Sequence, residues 1–267
     1  MSSVAICTDS STLFPEGMAE QLGVTIVPVA ITLDGRVVDE HATPIDDFYA
    51  RMSAGERATT SHPSPGELLD AYSTLASGGA SDVLSIHLDA RVSGTTGSAE
   101  LAAREAPIPV TVADTRTVSF GVGLCVRAAA QALGAGASVH DAASLVAAAG
   151  TRQRNVFVAP QGPPGRLPEA AGWAVLEFAD GAARPVGVRD NIGQAIDAML
   201  AGVLGEEFPL RAAVGHACAA TEPAADALAR SLAGLSQIVE VERYRVGAAV
   251  GAHTGPFTFG AFWWPAQ

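Results

Sequence analysis

The chain has 267 residues, of which 48% are hydrophobic, and it carries a formal net charge of −12 at pH 7. This length allows one large hydrophobic core or two smaller ones, and the negative charge argues against nucleic acid and anionic membrane as partners. All 16 basic residues are arginines, which excludes functions that need a lysine, such as a P-loop or a Schiff base.

The composition predicts neither a membrane span nor a disulfide framework. No apolar run approaches the ~20 residues that a membrane helix needs, and no basic region followed by a long apolar one marks a signal peptide. The three cysteines, Cys7, Cys125 and Cys218, are widely spaced among apolar residues, as reduced core residues are. We therefore expect a cytoplasmic protein without stable membrane insertion, metal site or cofactor.

The chain opens with an apolar strand at residues 4–7, a polar loop at 8–12 and a helical pattern. Asp9 follows the strand, where open α/β sheets place ligand-facing groups, but it fits a helix cap equally well. Residues 24–33 are β-branched and apolar, and Asp34-Gly35 after them is typical of a hairpin turn.

A cluster of hydroxyl residues lies at 58–67. Ser64-Pro65-Gly66-Glu67 is a capping box, which accounts for most of the role of its serine. The box does not need Thr60 or Ser61, so both remain candidates for ligand binding. His62 is expected to be a surface loop residue.

The stretch from 82 to 103 combines a strand, a hydroxyl-rich turn and a helix. Residues 83–88 predict a buried strand, and an Ala/Leu pattern that begins at Thr95 predicts a helix. Between them, Ser93-Gly94-Thr95-Thr96 would direct free backbone N–H groups and the positive end of the helix dipole at one point, where an anion fits. The simpler interpretation is that Ser93 or Thr95 is only an N-cap.

Strands and helices continue to alternate up to about residue 153. Residues 109–114 predict a strand that ends in Asp114, and a helical pattern at 117–133 has Ser119 near its start. This alternation predicts an N-terminal α/β/α three-layer domain with a mostly parallel sheet at residues 1–153.

The pattern changes after residue 154, where strands follow one another with fewer helices between them. The Pro/Gly-rich residues 160–165 predict a loop, and residues 173–188 predict a hairpin that turns at Asp180-Gly181. These features predict a smaller C-terminal two-layer α+β domain at residues 154–267. Near its end, the turn His253-Thr254-Gly255-Pro256 offers a donor pair on a fixed backbone, a modest signal of a site.

Together these segments resemble the DegV family, and the resemblance covers most of the chain. No motif is specific alone, but six of them occur in the family's order and at plausible spacing. The matching residues are Thr8-Asp9-Ser10-Ser11, Val27-Pro28 with Asp34-Gly35 and Asp39, Thr60 to Pro65, Ser93-Gly94-Thr95 with Ser98-Ala99, Asp114 with Ser119, Gly121 and Gly123, and His253-Thr254-Gly255-Pro256.

The resemblance implies a two-domain α/β protein that binds one long-chain fatty acid, with the carboxylate in a cleft between the domains and the acyl chain buried. It implies that a separate ATP-dependent kinase, a DAK-type ATP-binding protein, turns the bound acid into an acyl phosphate for phospholipid metabolism. The chain itself would be a lipid-binding carrier and not an enzyme. The implied ligand-binding residues are Thr60, Ser61, Ser93, Gly94, Thr95, His253 and Thr254, supported by Asp9, Ser10, Asp114, Ser119 and Arg189.

Three features depart from the family pattern. His62 stands where glutamine is usual, and Phe257 stands where glycine usually follows the C-terminal turn. Residues 160–167 are a short Pro/Gly loop in place of a Leu-rich helix that helps to cover the ligand in the family. We therefore expect a trimmed lid and a cleft narrowed by Phe257.

Two other functions stay open. A sensor or regulatory module would bind a different small anion or a lipid at the same residues without a kinase partner. A serine hydrolase or acyltransferase would use Ser93 as nucleophile and His253 as base, with Asp9 or Asp114 to orient the histidine. Against the hydrolase, Ser93 lacks a Gly-x-Ser-x-Gly elbow.

Overall fold

A computed structural model describes residues 3–40, 42–160, 172–206 and 208–266. The chain forms two compact units. Unit 1 comprises Met1–Ala30 and Ser61–Arg152, and unit 2 comprises Ile31–Thr60 and Gln153–Gln267. The sequence-based domains 1–153 and 154–267 remain a prediction, and residues 31–60 are grouped here with the second unit.

The strands in the described part of the chain are, in order, β1 (Val4–Asp9), β2 (Val24–Val27), β3 (Ala30–Leu33), β4 (Arg36–Val38), β5 (Ala58–Ser61), β6 (Asp82–His87), β7 (Val110–Asp114), β8 (Arg154–Pro160), β9 (Trp173–Ala179), β10 (Ala182–Arg189), β11 (Leu210–His216), β12 (Ile238–Arg245) and β13 (Phe259–Pro265). The α-helices are α1 (Met18–Leu22), α2 (Ile45–Ser53), α3 (Pro65–Ser77), α4 (Thr95–Glu105), α5 (Phe120–Gly134), α6 (Val139–Arg152), α7 (Ile192–Leu204), α8 (Glu222–Ala233) and α9 (Ala248–Thr254). Short 3-10 helices span Ser10–Thr12 and Ala219–Thr221.

Unit 1 is built on a four-stranded parallel sheet with the order β2-β1-β6-β7. One face packs on α3 and α4 through residues such as Leu68, Tyr72 and Ala99. The other face packs on α5 and α6 through Val126 and Val146. Both faces are therefore covered, which explains why the strands are mainly apolar.

Unit 2 contains a six-stranded mixed sheet and a three-stranded sheet. The six-stranded order is β10-β9-β8-β13-β11-β12, in which β11 and β12 are parallel and the other neighbours are antiparallel. Helices α7 and α8 pack on this sheet through Met199 and Leu228. The small sheet has the order β4-β3-β5. The predicted α/β class, with a parallel sheet and a further sheet, is confirmed.

Local sequence signals explain most of the element boundaries. Ser64 and Glu67 form the predicted capping box at the start of α3. Asp34, with a φ of 47°, and Gly35, with a φ of 76°, make the predicted turn between β3 and β4. Asp180, with a φ of 51°, begins the turn of the predicted β9–β10 hairpin.

The structure also contains elements that the sequence patterns do not predict. The hydroxyl cluster includes a strand, β5, whose Thr59 hydroxyl lies 2.7 Å from that of Thr32 on β3. Strand β13 was also missed. His253 and Thr254, predicted to form a turn, lie instead in the last turn of α9, and the chain turns one residue later at Gly255. A φ of 87° at Gly255 favours glycine at that position.

The cysteine prediction holds in part, because Cys7 and Cys125 are buried free thiols whereas Cys218 is half-buried. None of the helices in the described ranges has the length and apolar character to cross a membrane. The predicted loop and trimmed lid span residues 160–167. Apart from Pro160, these residues lie outside the described part of the chain.

Candidate functional site

The carboxyl edge of the parallel sheet in unit 1 is the first candidate site. The strand order shows that the chain leaves β1 towards β2, and leaves β6 in the opposite direction towards β7. Where two neighbouring connections diverge, the carboxyl ends of the strands border a crevice that usually receives the ligand. Ligand-binding groups are therefore expected directly after β1 and β6.

The turn between β6 and α4 carries the predicted Ser93-Gly94-Thr95 motif. The hydroxyl oxygens of Ser93 and Thr95 lie 2.8 Å apart, and the Thr95 backbone N–H donates to Ser93 Oγ at 3.2 Å. The N-cap residue itself is Gly94, which has no side chain to cap the helix. Ser93 thus accepts from one amide, but neither Ser93 nor Thr95 is the N-cap that the simpler interpretation of the sequence expects, and the following amides are left to other acceptors.

Two amides of α4 are free to bind an anion. Within the described ranges, no acceptor bonds the backbone N–H of Thr96 or Gly97, whereas the Ser98 N–H donates to the Gly94 carbonyl at 3.0 Å. Gly97 is exposed, and no atom lies within 4 Å of the position that its Cβ would take. Unpaired amides at the positive end of an 11-residue helix favour a carboxylate or a phosphate.

A buried carboxylate holds the loop that leads to Ser93. Asp89 is fully buried, and its side chain binds the Arg91 guanidinium at 2.6 Å. The Asp89 carbonyl accepts from the Ser93 N–H at 3.3 Å, and the Asp89 N–H donates to the Thr117 carbonyl at 2.9 Å. Burial raises the pKa of Asp89, but the hydrogen bonds and charge of Arg91 outweigh it and hold the pKa below its ordinary value. The turns after β6 and β7 are therefore joined.

His62 is exposed, as expected of a surface loop residue, and its ring also lies against the same turn. A Cβ on Gly94 would be 2.8 Å from His62 Cε1 and 3.0 Å from His62 Nε2. No larger residue fits at position 94 unless the imidazole moves. Gly94, predicted to bind ligand, therefore also provides the space for the ring of His62.

Asp9 belongs to a buried polar array that sequence reasoning missed. Its Oδ2 lies 2.8 Å from His87 Nδ1, and His87 Nε2 lies 2.8 Å from Ser85 Oγ. Tyr72 continues the array, with its hydroxyl 2.7 Å from Ser85 Oγ. The other carboxylate oxygen of Asp9 accepts from the Ser11 N–H and hydroxyl. Ser85 and His87, the two polar residues in the apolar run 83–88, were the signal that could have indicated this array.

The other predicted supporting residues of unit 1 lie at the same sheet edge. The Ser10 hydroxyl accepts from the Val29 N–H at 3.0 Å. Asp114 Oδ1 accepts from the Arg116 N–H at 2.9 Å. Ser119 is the N-cap of α5 and is buried, with a φ of 60° and a ψ of −142°. The turns that follow β1, β6 and β7 all contain residues singled out from the sequence.

Unit 2 brings together two further predicted residues. Thr60 Oγ1, at the end of the small sheet, lies 2.8 Å from Nε2 of His253 on α9. Helix α9 is anchored by Tyr49, whose hydroxyl donates to the Val246 carbonyl at 2.7 Å and whose ring packs on Gly251. The exposed His253 ring therefore has a fixed position and a hydroxyl partner.

The remaining predicted residues make only local contacts. The Thr254 hydroxyl donates to the Val250 carbonyl at 3.3 Å within α9. Arg189 ends β10, and its guanidinium donates to the Val188 carbonyl at 2.9 Å. Ser61 is exposed at the start of the second segment of unit 1. Phe257, which follows the Gly255-Pro256 turn, is buried in unit 2.

The arrangement in unit 1 suits the binding of an oxyanion by neutral donors. Ser93 and Thr95 supply hydroxyls, and Thr96 and Gly97 supply amides at the positive end of α4. Hydroxyl and amide donors hold a carboxylate without neutralising it with a cationic side chain. The nearby guanidinium of Arg91 is already bound to Asp89.

This fold and this turn define an α/β protein with a parallel-sheet unit and with unpaired amides at the start of α4. Comparison with known families gives the class a name: the chain belongs to the DegV family. The family model described as "Uncharacterised protein, DegV family" matches residues 3–161. A DegV domain-containing protein of Streptomyces coelicolor is 33% identical over 275 residues, which cover 96% of each chain.

Other proteins match a shorter part of this chain in sequence, or match it in three-dimensional structure. A DegV domain-containing protein of Deinococcus radiodurans is 43% identical over 51% of this chain and 49% of its own length. A Thermus thermophilus structure, described as fatty acid binding of a DegV family protein, is 26% identical and matches 98% of this chain and 99% of its own with a TM-score of 0.87. A Bacillus subtilis structure, described as DegV, a fatty acid binding protein, is 26% identical over 99% of each chain with a TM-score of 0.84.

Proposed function

We propose that this chain binds a long-chain fatty acid. One observation carries the proposal: along nearly its whole length the chain has the fold of two proteins described as fatty acid binding, at 26% identity and TM-scores of 0.87 and 0.84. The amides and hydroxyls at the start of α4 support it, since a carboxylate suits this set of donors.

In this proposal the carboxylate is bound by the hydroxyl, amide and imidazole groups of the motif residues. Ser93, Gly94 and Thr95 supply them in unit 1 together with Ser61, and Thr60, His253 and Thr254 supply them in unit 2. Burial of the acyl chain provides most of the affinity, because each buried CH₂ contributes about 0.8 kcal/mol. No cofactor takes part, and the fatty acid is the only bound molecule.

The finer part of the proposal is that the bound acid is a substrate for another protein. A carboxylate held by neutral donors keeps its charge and nucleophilicity, whereas a bidentate arginine would occupy both of its oxygens. A carboxylate oxygen would attack the γ-phosphorus of ATP held by a separate DAK-type kinase, which gives an acyl phosphate and ADP. The chain would then be a carrier and not itself an enzyme.

The geometry of unit 1 favours this carrier over a serine hydrolase. A hydrolase would need Asp9 or Asp114 to orient its catalytic histidine. The Asp9 carboxylate is taken by His87 and Ser11, and Asp114 Oδ1 accepts from the backbone N–H groups of Arg116 and Ala90. Ser93 Oγ is hydrogen-bonded to Thr95 Oγ1, and His253 Nε2 is hydrogen-bonded to the Thr60 hydroxyl. A lipid sensor without a kinase partner remains the second candidate, because it would use the same donors.

Native mass spectrometry of the purified protein, followed by organic extraction and lipid identification, tests the proposal. We expect one fatty acid per chain, and its loss in the variant Ser93→Ala with His253→Ala. The matched control, Ser77→Ala with His140→Ala, changes an exposed serine and histidine of α3 and α6 and should keep the lipid. Unchanged lipid in the folded site variant would refute the residue assignment. A protein that neither co-purifies with fatty acid nor takes up added fatty acid would refute the function.

The carrier and the sensor differ in a second assay. The loaded protein is mixed with ATP and a DAK-type kinase, and ADP and acyl phosphate are measured. Formation of both products only in the presence of loaded protein supports the carrier. A protein that binds fatty acid tightly but supports no phosphorylation is the result expected of the sensor.

A further inference from the structure

Helix α5 begins at a serine that does not cap it. Ser119 is its N-cap, yet its side chain makes no capping hydrogen bond. Its φ of 60° lies in the region that favours glycine, and its ψ is −142°. A serine in this conformation costs about 1–3 kcal/mol, and such strain is often kept at functional sites.

The Ser119 hydroxyl has no partner among the described residues, although the residue is only 7% exposed. Buried hydroxyls normally find a hydrogen bond, because the loss of solvation is otherwise uncompensated. The side chain is thus a strained, buried and unused donor.

Ser119 also lies at the sheet edge where the other candidate donors lie. One turn further along α5, a Cβ on Gly123 would be 2.7 Å from the Thr12 carbonyl, so α5 packs closely on the 3-10 helix that follows β1. Thr117, two residues before Ser119, accepts a hydrogen bond from Asp89 in the loop that leads to Ser93. These contacts tie the start of α5 to the turns after β1 and β6.

We propose that Ser119 is a ligand-contact residue, whose hydroxyl donates a hydrogen bond to the carboxylate of the bound fatty acid. This inference rests on the proposed function and adds one more hydroxyl to those that the proposal assigns to the carboxylate. The strained backbone holds the donor in place before the ligand arrives, which reduces the entropy lost on binding. Glycine would relieve the strain but would remove the donor, which explains a serine at this position.

A nucleophilic role for Ser119 is disfavoured by its surroundings. Nucleophilic serines of α/β hydrolases also lie on a strained strand-to-helix turn. Such a serine needs a base within hydrogen-bond reach, and no histidine or carboxylate in the described ranges bonds the Ser119 hydroxyl. The same side chain therefore fits a binding role better than a catalytic one.

The test compares Ser119→Ala, Ser119→Gly and Asp180→Gly in the full-length, delipidated protein. Asp180 is the matched control for strain, because its φ of 51° is also positive and it lies in the hairpin turn of unit 2. Affinity is measured for a series of fatty acids and for the alcohols of the same chain lengths, and Tm is measured without ligand. The alcohols keep the apolar tail but lack the carboxylate charge.

We expect Ser119→Ala to weaken binding of the acid about tenfold or more, equivalent to about 1.4 kcal/mol, because a hydrogen bond to a charged group is lost. Binding of the alcohol should change by less than about threefold. Ser119→Gly should lose the same affinity but raise Tm, and Asp180→Gly should raise Tm at unchanged affinity.

Several outcomes would overturn the inference while leaving fatty acid binding in place. These are an unchanged acid affinity in Ser119→Ala, an equal loss for acid and alcohol, or a Ser119→Gly variant that is not stabilised although Asp180→Gly is. Covalent labelling of Ser119 by a fluorophosphonate would replace the contact role with a nucleophilic one. A wild-type protein that binds no fatty acid of the series would instead overturn the proposed function, and this inference with it.

Discussion

Individual side chains of unit 1 are constrained by partners that are distant in the sequence. Asp9 and His87 are 78 residues apart and meet only because β1 and β6 are paired in parallel. Ser93 and Thr95, in contrast, are neighbours, and their hydrogen bond follows from the local turn. The sequence therefore allowed the second pair to be predicted, but not the first, since the register of a sheet is set by packing and not by local propensity.

Cys7 provides a test of the buried array, because it lies beside Ser85 and Asp9. Burial raises the pKa of the Cys7 thiol to about 12, opposed by a hydrogen bond with Ser85 and reinforced by the Asp9 charge. The folded protein then keeps a proton that the unfolded chain loses above about pH 9, so the free energy of unfolding should fall as the pH rises from about 9 to about 12. The slope should be about 1.4 kcal/mol per pH unit.

Urea unfolding under reducing conditions from about pH 8 to about pH 10.5 measures this slope. The free energy of unfolding of Cys7→Ala should fall less steeply with pH than that of the wild-type protein, whatever the stability of the variant at neutral pH. Cys218→Ala, which changes the half-buried cysteine, is the control for the loss of a thiol outside the array. Equal slopes for Cys7→Ala and the wild-type protein would show that the thiol does not stay protonated in the folded state.

Among the elements, those with strong local signals were predicted best. The capping box of α3 and the Asp180-Gly181 hairpin turn both formed as their residues indicate. β5 is a threonine-rich edge strand next to a proline-rich segment, and it owes its structure to pairing with β3. The imidazole of His62 against Gly94 is a tertiary contact between two elements and leaves no periodic trace in the sequence.

Two glycines within helices allow the effect of helix propensity on stability to be distinguished from the effect of packing. A Cβ on Gly97 of α4 meets nothing within 4 Å, whereas a Cβ on Gly150 of α6 would be 1.7 Å from the Thr115 carbonyl oxygen. Alanine is favoured over glycine in both helices by about 0.5–1 kcal/mol. We expect Gly97→Ala to stabilise the ligand-free protein by about that amount, and Gly150→Ala to destabilise it by about 3 kcal/mol or more because backbone atoms would have to move.

Chemical denaturation of the two variants measures both effects, with the wild-type protein as reference. Since Thr115 lies in the turn after β7, Gly150→Ala should also weaken the packing of α6 on that turn. A Gly150→Ala variant as stable as Gly97→Ala would mean that α6 does not approach Thr115 as closely as described.

At the scale of the whole molecule, unit 2 draws its residues from two separate parts of the chain. Residues 31–60 supply the three-stranded sheet and α2, while the rest begins at Gln153. Tyr49 on α2 is 1% exposed and fills the space above Gly251 on α9. The sequence indicated a division near 153, but contacts between segments about a hundred residues apart have no local signature.

Expression of separate segments tests this grouping. Residues 153–267 alone should not fold cooperatively, because they lack the Tyr49 hydroxyl that binds the Val246 carbonyl and would expose apolar surface that α2 covers. A single chain that joins 31–60 to 153–267 through a flexible linker should fold. Far-UV circular dichroism and amide NMR dispersion distinguish the two. Cooperative unfolding of residues 153–267 alone would contradict the grouping.

The position of β13 has a consequence for how the protein is made. β13 lies between β8 and β11 and pairs with both, yet a ribosome synthesises it after either neighbour. Until β13 has left the ribosome, the nascent chain holds β8–β10 and β11–β12 as two incomplete sheets with open edges that can pair wrongly. The second unit can therefore complete its six-stranded sheet only after its last strand has been synthesised.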